Sequence, residues 1–244
     1  VAAMPLGYIH PTIVRRMEEL DLAVDPLQIA GSAYYYGTDE SADETDLLGP
    51  IHLMEELIDR SSAYGMDKVF LSNSGAEAVE NAIKSCYDDG GHRGITFQDA
   101  FHGRTLGALS LNRSKQVHRR GYPEVPAIES VPFCTCQDTC TCGWETDGPG
   151  GNVLMDALDP DEGSLPPEEL AYVILEPVQG EGGYIVPPDE FVQRIREITA
   201  DHGILLVDDE VQAGLGRTGK LWGIDHFEVT PDIVCTAKAL GSGM

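Results

Sequence analysis

The stretch "GILLVDDEVQAG", residues 203–214, decides the fold class. Gly203 ends a helical pattern, and a short, nearly continuous run of branched apolar residues follows it. Such a run is typical of a strand that is covered on both faces of a parallel sheet. The run ends in Asp208 and Asp209. Because ligands of parallel α/β sheets bind beyond the carboxyl ends of the strands, the stretch predicts an α/β fold and a candidate site together.

The same alternation of patterns extends along most of the chain. Strand-like runs cover 68–74, 94–100, 171–178, 203–210 and 232–238, and helical patterns cover 52–65, 75–89 and 188–203. Alternating strands and helices predict an α/β domain with a mainly parallel sheet flanked by helices. Residues with chemical potential fall at or just beyond the ends of these strands: Ser74, Phe101, Glu176, Asp209 and Lys238.

Composition and charge exclude several classes of partner. The 244 residues carry 41 acids against 16 lysines and arginines, a formal net charge of −25, and the acids are spread along the chain. Such a field repels nucleic acid and anionic lipid, and diffuse acidity suits a surface adapted to high salt. No apolar run reaches membrane-spanning length, and the first residues lack the pattern of a signal peptide. We therefore expect a cytoplasmic protein with neither nucleic acid nor membrane as a partner.

Three of the strand-end features together meet the requirements of pyridoxal phosphate. "SNSGAEAVENAIK", residues 72–84, passes through small residues into a helix, so the amides of Gly75 and Ala76 are suited to a phosphate, although an ordinary turn capped by Ser74 has the same pattern. Asp209 is an acid for the pyridine nitrogen, and Lys238 is a strand-end amine. A metal site at Asp208 to Glu210 is disfavoured, because adjacent side chains of a strand alternate faces.

The sequence resembles a known family, the class III (ω-) aminotransferases of pyridoxal phosphate fold type I. The resemblance rests on motifs in family order: "GYIHPTIV" (7–14), "SNSGAEAVENAIK", "FHGRTLGALS" (101–110), "EPVQGEGGYIVPP" (176–188), "DDEVQAGLGRTGKLWG" (208–223) and "PDIVCTAKALGSG" (231–243). Within this family, the sequence is similar above all to γ-aminobutyrate, ornithine and acetylornithine aminotransferases.

The resemblance assigns a role to each motif residue. Lys238 matches the lysine that forms the Schiff base, and Asp209 the acid that pairs with the pyridine nitrogen. The implied cofactor-binding set is Ser74, Gly75 and Ala76 at the phosphate, Phe101 stacked on the ring, Gln212 near the 3′-oxygen, and Glu176 and His102 in the surrounding site, with His102 in a structural role. Glu181 matches a glutamate that pairs with a mobile arginine and sorts substrates.

The implied activity is transfer of an amino group from an ω-amino acid resembling γ-aminobutyrate to a 2-oxo acid such as 2-oxoglutarate, in a homodimer. Ornithine or acetylornithine is the alternative donor, and aminomutase or racemase chemistry is possible on the same fold. The chain is shorter than members of the family, so we expect a fragment in which the small domain is largely missing. A catalytically incomplete fragment is therefore a further alternative.

The expected organisation is an N-terminal segment with a substrate-side loop at 1–50, then a cofactor-binding large domain at 51–244. A loop-rich insertion at about 134–169 interrupts this domain. The insertion holds four of the six cysteines: Cys134, Cys136, Cys140 and Cys142. Their C-x-C spacing departs from the usual C-x₂-C of zinc sites, so a structural insertion without metal is expected and zinc is the alternative. Cys86 and Cys235 lie in apolar patterns and are expected to be buried.

Overall fold

The structure, a computed structural model, describes residues 44–136, 140–144 and 152–241. The chain divides into two compact units, residues 1–73 and 74–244. The motif at 7–14 and most of the expected N-terminal segment lie outside the described residues. The domain limits expected from the sequence, 1–50 and 51–244, stay a prediction.

The described part of the first unit is mainly one helix. Helix α1, Glu44–Ser61, continues into a 3₁₀ turn, Ser62–Tyr64, which ends at Gly65 with a left-handed φ of 73°. The predicted strand at 68–74 is wrong, because residues 66–72 have no regular structure. A strand exists only through pairing with a neighbour, and among the described residues this segment pairs with no other strand.

The second unit is built on a five-stranded sheet in which every pairing between described strands is parallel. In sheet order the strands are β2 (Ile128–Val131), β1 (Arg93–Phe97), β3 (Leu170–Leu175), β4 (Leu205–Asp209) and β5 (Ile233–Cys235). The helices are α2 (Gly75–Asp89), α3 (Leu106–Leu111), α4 (Gln116–Arg119), α5 (Val153–Leu158) and α6 (Asp189–His202). Three 3₁₀ segments, Pro167–Glu169, Gly223–Phe227 and Lys238–Gly241, complete it. The α/β class with a mainly parallel sheet is thus confirmed.

Helices α2 and α6 form where the sequence predicts them, since each has a periodic apolar face and a defined end. Ser74 caps α2, its Oγ accepting a hydrogen bond from the amide of Glu77 at 3.2 Å. Helix α6 ends at Gly203, whose φ of 68° is left-handed. Val79 and Ile83 of α2 are buried, and each such side chain contributes about 1.5–3 kcal/mol of hydrophobic stabilisation.

Helices cover both faces of the sheet. On one face, α2 packs in a cluster with Tyr172 and Ile174 of β3. On the other, Phe191 of α6 meets Phe97 of β1 edge to face, with ring centroids 5.7 Å apart. Both Phe97 and Phe191 are fully buried. No helix in the described ranges is both long and apolar enough to cross a membrane.

The strand order fixes where a ligand site can form. From β1 the chain first moves outward to β2, then crosses back to β3 on the opposite side of β1 and continues to β4 and β5. The direction of winding therefore reverses between β1 and β3. Such a reversal opens a crevice beyond the carboxyl ends of the two strands, where ligands of open α/β sheets bind.

Candidate functional site

Glu176 holds together the two loops that leave the crevice. It follows β3 directly, and one of its carboxylate oxygens accepts the amide N–H of Phe101 at 3.0 Å, from the loop after β1. The other accepts the amide of Gly180 at 3.2 Å. Burial raises the pKa of Glu176 from 4.5 to about 7, with the charge of His102 opposing the rise and that of Asp209 adding to it. Glu176 is therefore a buried residue that links the loops after β1 and β3 through its two hydrogen bonds.

Asp209 and His102 form a buried pair at the centre of the site. His102 Nδ1 lies 2.7 Å from Asp209 Oδ2, and both side chains are almost completely shielded from solvent. Asp209 Oδ1 accepts the amide of Val211 at 3.0 Å. Because a carboxylate only accepts hydrogen bonds, the pair is satisfied when the proton of the imidazole is on Nδ1. The buried Nε2 atom of His102 has no hydrogen-bond partner among the described residues.

Asn112 fixes the backbone on which His102 stands, and sequence reasoning missed it. Its Oδ1 accepts the amide of His102 at 2.6 Å, and its Nδ2 donates to the carbonyl of Gly103 at 2.7 Å. Asn112 is fully buried. The one signal in the sequence is a polar residue placed directly after the apolar run "GALSL" of α3. A buried amide must find partners, and here the loop that carries His102 supplies them.

Lys238 stands three residues beyond β5, as the first residue of a 3₁₀ turn. Its side chain is exposed, and Nζ donates to Gln212 Oε1 at 3.1 Å. The φ of Lys238 is +42°, a left-handed conformation that costs about 1–3 kcal/mol for a residue other than glycine. Backbone strain of this kind is common at functional sites, and the role of Lys238 stays a prediction.

The start of α2 meets the segments after β4 and before Lys238. A Cβ atom at Gly75 would lie 2.8 Å from both Cγ atoms of Val211 and 3.2 Å from the Cβ of Ala237. A side chain there would force Val211 to shift, so the first turn of α2 lies directly against these two segments. The amides of Gly75 and Ala76 lie in this turn, whose N–H groups have no partner within the helix. Ser74 is occupied as the helix cap.

The remaining predicted residues lie at the rim of the same region. The Phe101 ring meets the ring of His118 edge to face, with centroids 4.9 Å apart. Gln212 covers Gly180 so closely that a Cβ there would lie 2.5 Å from Gln212 Nε2. Glu181 is exposed and accepts a hydrogen bond from Lys115 Nζ at 3.3 Å. Lys115 is a second residue near the site that sequence reasoning missed.

Two further buried acids, Asp208 and Glu210, flank Asp209. Asp208 is fully buried, and its carboxyl group interacts with that of Glu210. Burial raises its pKa well above 3.8, and the charge of Glu210 raises it further. Glu210 Oε1 accepts the amide of Ile224 at 2.8 Å. Burial and the neighbouring acids therefore disfavour the ionised form of Asp208.

These raised pKa values predict that stability falls as the pH rises. The folded chain keeps protons that the unfolded chain has already released. The contribution of these carboxyl groups to the free energy of unfolding is therefore complete below their unfolded pKa, and it is lost as the pH rises to their folded pKa. The window is 4.5 to about 7 for Glu176 and begins at 3.8 for Asp208. We expect Asp208→Asn to lessen the fall, because the amide has no proton to lose. Urea unfolding across this pH range, without added cofactor, measures the free energy of unfolding of both proteins. Parallel plots of this free energy against pH would contradict the prediction.

Comparisons with known proteins show what the chain is similar to. The profile of the family described as aminotransferase class-III matches residues 1–244. The acetylornithine aminotransferase of Methanopyrus kandleri is 36% identical over 245 residues, covering 100% of this chain and 53% of that protein. An amine transaminase from an uncultivated Pseudomonas species, solved in its PLP-bound internal aldimine form, superimposes with a TM-score of 0.67 at 27% identity, covering 95% of this chain and 51% of the other. For the ornithine aminotransferase of Toxoplasma gondii the TM-score is 0.63 at 27% identity, covering 98% and 50%. The chain spans about half the length of the relatives it matches.

Proposed function

Because the chain belongs to the aminotransferase class-III family, we propose that the protein containing it transfers an amino group from the terminal amine of an ω-amino acid to a 2-oxo acid. The observation that carries the proposal is the meeting of three segments at one edge of the sheet. The first turn of α2 lies against the residues that follow Asp209 and against Ala237, the neighbour of Lys238. The segments that carry Asp209 and Lys238 thus both border the first turn of α2, which supports the proposal.

The residues at this edge fit pyridoxal phosphate, the cofactor implied by the family. The amides of Gly75 and Ala76 at the start of a fifteen-residue helix suit the phosphate. Asp209 suits a protonated ring nitrogen, and Phe101 offers an aromatic face to the ring. Lys238 suits the carbonyl carbon as its covalent partner. When bound, the cofactor supplies an electron sink that makes the proton on the amine-bearing carbon of a donor acidic.

The chain's own residues then have separate tasks. Lys238 Nζ moves a proton to and from the donor carbon, which a positioned amine accelerates by about 10²- to 10⁴-fold. Gln212, 3.1 Å away, holds that amine in place through its carbonyl oxygen. Asp209 supplies a fixed negative charge in a site shielded from water, where such a charge acts most strongly. His102 is a positioning residue, because it orients the carboxylate of Asp209.

Acetylornithine and ornithine are the first donors to test, ahead of γ-aminobutyrate. The relatives at 36% and 27% identity act on these compounds according to their names, and both compounds carry a primary amine at the end of an aliphatic chain. The exposed pair of Glu181 and Lys115 provides one negative and one positive group beside the site. We infer that Glu181 faces the substrate and helps to distinguish donors.

The protein expressed from its complete gene is the material for the test. It is incubated with 2-oxoglutarate and, in turn, acetylornithine, ornithine, γ-aminobutyrate and L-alanine, and glutamate formation is measured. We expect one of the terminal amines to give the highest kcat/KM. Amino-acid isomerisation without consumption of the 2-oxo acid would contradict transamination and indicate a racemase or an aminomutase. A preference for L-alanine would contradict the proposed class of donor but would leave transamination itself standing.

The proposal includes a homodimer and a cytoplasmic location. The net charge of −25 disfavours nucleic acid and anionic membranes as partners and does not bear on the oligomeric state. Light scattering on the protein from the complete gene measures the oligomeric state, with a mass of two subunits expected.

A further inference from the structure

Four cysteines form a cluster outside the proposed active site, in the segment between β2 and α5. They are Cys134, Cys136, Cys140 and Cys142, and their Sγ atoms all lie within 4.8 Å of one another. The individual distances include 3.2 Å from Cys134 to Cys140, 3.3 Å from Cys134 to Cys142 and 3.7 Å from Cys140 to Cys142. None of the four takes any part in the proposed transamination. We propose that they bind one zinc ion as a closed tetrathiolate site.

The distances between the sulfur atoms favour a metal ion over disulfide bonds. Four thiolates placed tetrahedrally about 2.3 Å from a zinc ion are separated from each other by about 3.8 Å. A disulfide requires about 2.0 Å between its sulfur atoms, and all six cysteines are free thiols in this structure. Four neutral thiols would gain only weak S–H hydrogen bonds from such an arrangement. A central ion accounts for the convergence of all four.

The surroundings of the cluster suit thiolate ligands. Cys136 Sγ accepts the amide N–H of Thr141 at 3.3 Å and lies 3.6 Å from its hydroxyl oxygen. Donors of this kind stabilise the negative charge on a ligating sulfur and hold it in position. Cys134 and Cys140 are buried, whereas Cys136 and Cys142 are more accessible. Two of the four proposed ligands are thus shielded from solvent by the protein.

The segment that carries the cysteines is anchored at both ends in the aromatic core. Phe133 precedes the cluster and Trp144 follows it, and each ring packs against Phe191 with centroids 4.9 Å apart. The carbonyl of Gly143 also accepts the amide of Val153 at 2.9 Å. A metal ion at the cluster would tie the two ends together beside the core. We therefore infer a structural role, in agreement with four protein ligands and no open coordination position.

The ligand set selects the metal. Soft thiolates in a tetrahedral arrangement favour zinc or iron and disfavour calcium and magnesium, which take oxygen ligands. A cluster of two irons holds its thiolates as two separated pairs, whereas here all four sulfurs share one centre. Binding converts four thiols to thiolates and releases their protons, and four thiolates with one Zn²⁺ carry two net negative charges.

The test measures metal in the protein expressed from its complete gene and purified without chelators or metal-affinity resin. Mass spectrometry of the elements is expected to find about one zinc ion per chain. In Cys136→Ser and Cys142→Ser, the affinity for zinc, measured by competition with a chelator, is expected to fall by more than the roughly 10- to 100-fold that changes around a ligand cause, so that zinc is lost on dialysis. Cys86→Ala is the matched control, since it removes a buried cysteine outside the cluster and is expected to retain zinc.

A second measurement does not depend on the variants remaining folded. The wild-type protein is reduced without oxygen, stripped of metal and titrated with Co²⁺. Thiolate-to-cobalt charge-transfer absorption and intense visible bands of tetrahedral Co²⁺ are expected, and zinc should displace them. Failure to bind either metal would overturn the proposal, as would zinc retained in full by both serine variants. Iron in place of zinc would overturn the identity of the metal.

Discussion

Lys238→Arg is expected to lower kcat/KM for amino transfer by about 10⁴-fold or more. The guanidinium group remains protonated at every working pH, so it can neither bond covalently to the cofactor carbonyl nor accept a proton from the donor carbon. Arginine retains the positive charge and comparable length, and the left-handed φ of +42° affects both residues alike. The loss therefore reports on chemistry rather than on charge or backbone strain.

Lys220→Arg is the matched control for this change. Lys220 is exposed, and its Nζ donates to the carbonyl of Asp225 at 2.8 Å, a bond that arginine can also make. We expect unchanged kinetics for Lys220→Arg and an unchanged circular dichroism spectrum for both variants. Comparable activity in the two arginine variants would remove Lys238 from the mechanism.

Asp209→Asn is expected to lower kcat by about 10²- to 10³-fold while leaving the fold intact. The amide has the same shape and one remaining acceptor, so the contacts with His102 and Val211 can persist in part. The fixed negative charge is lost, and with it the stabilisation of a protonated ring nitrogen. Steady-state kinetics and the absorption spectrum of the bound cofactor measure the two consequences separately.

Two variants separate this effect from a general loss of stability. Asp161→Asn changes an exposed aspartate outside the site and is expected to behave as wild type. His102→Gln keeps a donor that can reach the carboxylate of Asp209, so a smaller loss than in Asp209→Asn is expected. An Asp209→Asn protein with a lowered melting temperature but wild-type kcat would assign Asp209 a structural role only.

Local patterns made much of the fold predictable. Helix α2 has an apolar face, a serine cap at its start and Gly90 at its end. Strands β1, β3, β4 and β5 are short apolar runs between turns. Lys238 and Asp209 stand at the ends of such runs, so both could be placed at one edge of a parallel sheet. These features depend on neighbours within a few residues, which a sequence displays directly.

Features that depend on distant parts of the chain were not predictable in the same way. His102 and Asp209 are 107 positions apart, and Asn112 supports the loop of His102 only because α3 folds back on it. The expected strand at 68–74 failed because a strand needs a partner that no local pattern reveals. The C-x-C spacing disfavoured a metal, yet three-dimensional folding brings all four sulfurs within 4.8 Å. The His102–Asp209 pair and the missing strand depend on contacts between distant residues, whereas the Asn112 support and the cysteine cluster depend on how one short segment folds back on itself.

Covalent labelling tests most directly whether Lys238 occupies a formed cofactor site. The protein from the complete gene is mixed with pyridoxal phosphate and reduced with borohydride, and the labelled peptide is located by mass spectrometry. We predict a pyridoxyl label on Lys238 alone, absent from Lys238→Arg. A label spread over Lys68, Lys84, Lys115 and Lys220, with Lys238 no more modified than these, would contradict the account.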